Sequence, residues 1–122
     1  MRMLRSTIAL AFIVLLAGAC ASTPTEREIP ADGSASAFVL NSGDGSYTVY
    51  VQSSSGRVRL GFVEPLSSGR FRVPGELVSA GGPMTLQAEG RGAAGNFLSE
   101  PFVLQPGYIV NWRLPDNNVY VR

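Results

Sequence analysis

The feature that most limits what this chain can become is a run of short apolar stretches alternating with polar residues. Turn formers cut them about every 8–12 residues. Val58, Leu60 and Phe62 alternate with Arg57, Arg59 and Gly61. A strand sends successive side chains to opposite faces, so this pattern predicts half-buried strands. The same period runs through Tyr47, Val49 and Val51, through Phe71 and Val73, and through Met84, Leu86 and Ala88. It closes with Tyr108, Val110, Trp112 and Leu114, where Trp112 is the expected core anchor. Ser42-Gly43-Asp44-Gly45 reads as a hairpin turn from Phe38-Val39-Leu40 into 47–52, because Asp44 and Gly45 tolerate positive φ. Residues 76–79 have length for one helical turn only, before Gly81-Gly82. Residues 90–96 read as a glycine-rich mobile loop, and Pro101 marks an edge or a strand break. The expected fold is all-β: a single small antiparallel β-sandwich of 7–8 strands over 36–122, with a small barrel as the alternative.

Ahead of that pattern lies a different kind of segment. Arg2 and Arg5 form a positive head, residues 8–16 are unbroken apolar sequence, and Ala17-Gly18-Ala19 precede Cys20. Positive head, short apolar core and small-residue exit are the order of a secretory signal, assigned to 1–19. As a membrane span the segment is short: residues 8–21 number 14, against about 20 needed to cross a bilayer. Ordinary signal cleavage after Ala19 is a second alternative, but it leaves an unpaired cysteine at the new terminus. Residues 20–35 are polar, broken by Pro24 and Pro30, and read as a tether. Fifteen residues of coil span roughly 20 Å on average and at most about 50 Å, so the domain is expected to stay within that reach of Cys20.

Ala17-Gly18-Ala19-Cys20, with Leu15-Leu16 before it, resembles the lipobox of bacterial lipoproteins. Ala17 stands where that family usually has leucine. The resemblance implies cleavage between Ala19 and Cys20, lipid attachment to Cys20, and a membrane partner through two or three acyl chains. Ala21 stands where the family's inner-membrane retention signal places aspartate, which implies the outer membrane, facing the periplasm. Residues 59–74, with Ser99-Glu100-Pro101-Phe102 and Pro106-Gly107, are similar to small β-sandwich domains of uncharacterised bacterial envelope lipoproteins. They also resemble transthyretin-type and immunoglobulin-like modules, folds that host many functions.

Composition narrows the chemistry. Without the signal, eight arginines face nine carboxylates, with no lysine and no basic run, so nucleic acid is not an expected partner. Histidine is absent, and with Cys20 lipidated no thiol remains, so histidine-based triads and His/Cys metal sites are excluded. Glu64, Glu76, Glu89, Glu100 and Asp116 stand apart in the sequence, with no spacing that makes a catalytic pair. Asp44 lacks the ligand rhythm of a calcium loop. The sequence thus points to no cofactor, no metal and no enzyme.

The expected contact surface is Arg57, Arg59, Arg70 and Arg72, which share one outer face if their two strands pair across 64–69. Guanidinium groups suit phosphate and carboxylate because they donate paired hydrogen bonds. Equally, charges on the wet side of a sheet serve solubility alone. Tyr50 and Tyr120 fall on outward parity. The expected role is a structural or protein-interaction module of the envelope. The alternative is a module that binds an anion or a glycan, such as lipopolysaccharide or peptidoglycan.

Overall fold

A computed structural model describes residues 29–122. Eight strands make up nearly half of them: β1 (Ala35–Asn41), β2 (Tyr47–Ser53), β3 (Gly56–Val63), β4 (Ser68–Val73), β5 (Thr85–Gly90), β6 (Asn96–Leu98), β7 (Ile109–Leu114) and β8 (Val119–Val121). One short helix, α1 (Gly75–Ala80), joins β4 to β5. The strands form two four-stranded sheets, the first in the order β4-β1-β7-β8 and the second β3-β2-β5-β6. The two pack face to face on a single core that includes Trp112, Met84, Leu86, Val39, Val49 and Val110. The molecule is a small all-β sandwich. β1 pairs in parallel with β7, while the other described pairings are antiparallel. The parallel pair is possible because the chain passes through the whole second sheet between its two strands, a connection long enough for a crossover.

The signal, Ala19, Cys20 and the tether as far as residue 28 lie outside the described residues. The end of the expected tether belongs to the fold. Ser34 and Ala35 are buried, and β1 starts at Ala35. The turn before them is docked on β4. Arg72 donates to the Asp32 carboxylate from Nε (3.1 Å) and from a terminal nitrogen (2.6 Å), and Ser34 N–H donates to the same carboxylate (3.0 Å). At Gly75 the backbone comes so close that a Cβ would lie 2.0 Å from the Asp32 carbonyl oxygen.

Three expectations are corrected. Residues 42–45 do not close a hairpin: β1 and β2 lie in different sheets, so the segment is a corner between them. Buried Asn41 makes that corner. Its Nδ2 donates to the carbonyls of Gly45 (2.7 Å) and Glu64 (3.0 Å), and its Oδ1 accepts from Gly43 N–H (3.0 Å). The second correction concerns β3. Val49 pairs with Gly61 but Tyr50 with Arg59, which leaves Leu60 as a bulge residue. Parity therefore flips, so Gly61 faces in and Phe62 faces out. The space at Gly61 is taken by the Phe71 ring of β4. Third, residues 90–96 form a hydrogen-bonded turn, not an open loop: Gly90 N–H donates to Gly95 O (2.8 Å) and Arg91 N–H to Ser46 O (3.1 Å).

Candidate binding face

The four arginines singled out by sequence do not share a face. β3 and β4 are edge strands of different sheets and do not pair, because the 64–67 segment is a corner like 42–45. Arg57 and Arg59 lie on the outer face of the second sheet, Arg70 and Arg72 on that of the first. On the second sheet Arg57 is already engaged: it stacks 3.7 Å over the Tyr50 ring and pairs with Glu89. Tyr50 is thereby half covered. Among the described residues the Arg59 side chain makes no hydrogen bond or ion pair.

The first sheet assembles a different surface. Ala35, Ala37 and Val39 of β1 point into the core, so Ser36, Phe38 and Leu40 point out. Register then places Arg70, Phe38, Asn111 and Tyr120 in one row across β4, β1, β7 and β8. At about 4.8 Å between neighbouring strands, that row is roughly 14 Å long. The row on one side holds Ser68, Leu40 and Arg113, and the row on the other holds Arg72, Ser36, Ile109 and Arg122. Four arginines thus surround an apolar and aromatic centre. Tyr120, on the edge strand β8, is 64% exposed, and Leu40, on the inner strand β1, is 37% exposed.

A shallow groove of about 310 Å³ runs over this centre. Phe38, Leu40 and Tyr120 give it apolar walls, and Asn111, Arg113, Asp116 and Asn118 give it polar ones. Its rim, the 115–118 turn, is held from three directions. The Trp112 indole N–H donates to Asp116 O (2.7 Å), and Asp116 N–H donates to Arg113 O (2.8 Å). Glu100 binds on both sides: its N–H donates to Asn117 O (2.7 Å) and its carboxylate accepts from Val119 N–H (3.0 Å). Trp112 is therefore both core anchor and support for the rim.

Ion pairing also separates the arginines of this face. The hydrogen bonds from Arg72, then those from Ser34, hold the Asp32 carboxyl well below the usual carboxylate range, at about 2. The side chains of Arg70, Arg113, Asp116 and Asn118 make no hydrogen bond or ion pair among the described residues. Sequence reasoning placed Arg70, Arg72 and Tyr120 correctly as outward-facing and passed over Asn111, Arg113 and Arg122. The outward parity of Asn111 and Arg113 was available from the Val110, Trp112, Leu114 alternation and that of Arg122 from Tyr120 two residues before it, but which strands flank β7 was not. Among the described residues no three Asp, Glu, His or Cys side chains gather as a metal site would require. Set beside protein-family models, curated proteins and solved structures, the chain matches none.

Proposed function

We propose that this chain is a lipid-anchored, non-catalytic binding module of the bacterial envelope. It is held at Cys20 in the outer membrane, faces the periplasm, and meets its partner through the outer face of the first sheet. The observation that carries this reading is the contrast between the two faces. Each face pairs one arginine, Arg57 with Glu89 and Arg72 with Asp32, and the second leaves Arg59 unpaired among the described residues, with Leu98 exposed. Only the first sets two unpaired arginines, Arg70 and Arg113, beside exposed Tyr120 and Leu40 and the groove between them. Exposed aromatics ringed by unpaired guanidinium groups are the composition of contact surfaces. The lipobox-like Ala17-Gly18-Ala19-Cys20 supports the anchor. Cys20 is nine residues from Ile29, a reach of at most about 32 Å, which keeps the face within the envelope layer next to the membrane.

Two measurements test this in cells. Substituting Cys20→Ala is expected to abolish acyl labelling and leave the uncleaved precursor. A photo-crosslinking residue at position 120 of the lipidated protein is expected to give discrete adducts, and one at position 87 on the opposite face is not. Labelling that survives Cys20→Ala overturns the anchor. Adducts at 87 alone, or at neither position, overturn the assignment of the face.

A further inference from the structure

We infer that the groove over the first sheet binds an acidic saccharide, a hydroxyl-rich ring carrying a carboxylate; the inference rests on the binding-module reading above. A pyranose has an apolar face of C–H bonds and an equatorial rim of hydroxyls. Its site therefore needs an exposed flat apolar surface beside groups that both donate and accept. Tyr120 and Phe38 supply the surface, in one row on neighbouring sides of Asn111. Asn111 and Asn118 each carry a donor and an acceptor, and Asp116 accepts from hydroxyls. The side chains of Asp116 and Asn118 have no other described partner.

Charge then selects among saccharides. Arg113 lies in the groove and Arg70 at the end of the same row as Tyr120, both without an ion pair among the described residues. A planar fork of donors matches a carboxylate bidentately. Asp116 argues against a dense polyanion or an anionic membrane, since its own charge opposes them. A ring with a single carboxylate avoids the conflict by turning hydroxyls to Asp116 and its charge to arginine. Size agrees, because about 310 Å³ is the small end of ligand sites and suits one or two rings. The rim is already fixed by Trp112 and Glu100, so little ordering entropy is lost on binding.

The test is calorimetric titration of the full lipidated chain anchored in neutral phosphatidylcholine vesicles. Three probes are used: an oligosaccharide alternating N-acetylglucosamine with N-acetylmuramic acid, neutral chitotetraose, and phosphatidylglycerol vesicles. The acidic oligosaccharide is expected to bind, and the neutral one roughly tenfold more weakly. Tyr120→Ala and Arg113→Gln are each expected to weaken binding roughly tenfold, and Arg57→Gln on the opposite face to leave it unchanged. Equal binding of the two oligosaccharides, binding to vesicles alone, or a loss with Arg57→Gln as large as with Arg113→Gln overturns the inference. If no saccharide binds while adducts at position 120 persist in cells, this inference fails and the binding-module reading stands.

Discussion

Asn41 holds two of the four connections between the sheets, 42–45 and 64–67, with one side chain. It ties Gly43 and Gly45 on one corner to Glu64 on the other while remaining 1% exposed. Replacing it by leucine removes three hydrogen bonds and strands the groups that made them, at about 1–3 kcal/mol for each one left buried and unsatisfied. Asn41→Leu is therefore expected to cost about 2–3 kcal/mol and lower the melting temperature by about 10–20 °C. Differential scanning calorimetry checks it, and a fall of only a degree or two would show that water replaces the lost bonds. Before the structure, Asn41 was merely the residue ahead of a glycine-rich turn. Nothing local marks a side chain whose partner is 23 residues away. Asp32 allows a pH prediction. Its carboxyl titrates near 3.9 in an unfolded chain and at about 2 in the fold. The Asp32–Arg72 contact thus contributes in full above about pH 4 and is lost as the pH falls through about 2. Urea midpoints of the wild type and of Asp32→Asn are expected to differ at pH 6 and to converge between about pH 4 and pH 2. Both side chains are half exposed, so solvent screening keeps the difference small.

Strands were legible because burial imposes alternation directly on sequence; which strands lie side by side was not. The run of Met84, Leu86 and Ala88 needs only one wet side and one dry side to be read, and the structure keeps that parity. Asp44-Gly45 looked like a hairpin turn because the dipeptide is equally suited to a corner. Only the pairing of β1 with β4 and β7 separates the two cases. The arginine surface failed for the same reason, since joining β3 to β4 by a short segment does not pair them. The bulge at Leu60 hid in plain alternation: Val58, Leu60 and Phe62 continue the pattern across a parity flip. The purpose of the flip is visible at Gly61. A Cβ there would lie 2.4 Å from Phe71 Cε1, so the missing side chain makes room for the ring that closes this side of the sandwich. Gly61→Ala is expected to destabilise by about 1–3 kcal/mol through overpacking. Shortening Phe71 to leucine should relieve part of that, so the double variant is expected to be more stable than the sum of the singles predicts. Additive urea stabilities would show that the two edge strands are not coupled through this contact.

At the scale of the molecule, net charge conceals an uneven distribution. The described residues hold seven arginines and seven carboxylates, so the folded domain is close to neutral. Four of those arginines, Arg70, Arg72, Arg113 and Arg122, lie on the outer face of the first sheet. Asp32, Asp116 and Glu100 are the carboxylates near this sheet, of which Asp32 is occupied by Arg72 and Glu100 by Val119 N–H. The remaining acids, Asp44, Glu64, Glu76 and Glu89, lie at the corners, on α1 and on the second sheet. A near-neutral chain arranged in this way presents one basic side to any charged surface it meets. Interactions between exposed charges fade beyond about 8 Å at physiological ionic strength, so a surface responds to the face in front of it and not to the sum over the molecule. The lipidated protein in neutral detergent is therefore expected to be retained by a cation exchanger at pH 7 and low salt despite its balance of charge. Replacing Arg70 and Arg113 by glutamine together is expected to abolish that retention, whereas the same change at Arg57 and Arg59 should scarcely move it. The comparison is sharp because both double variants change net charge equally. If they elute alike, total charge governs the behaviour and the first sheet has no electrostatic face of its own. If only the Arg70 and Arg113 variant elutes early, the basic field is local to the side that carries Tyr120 and the groove.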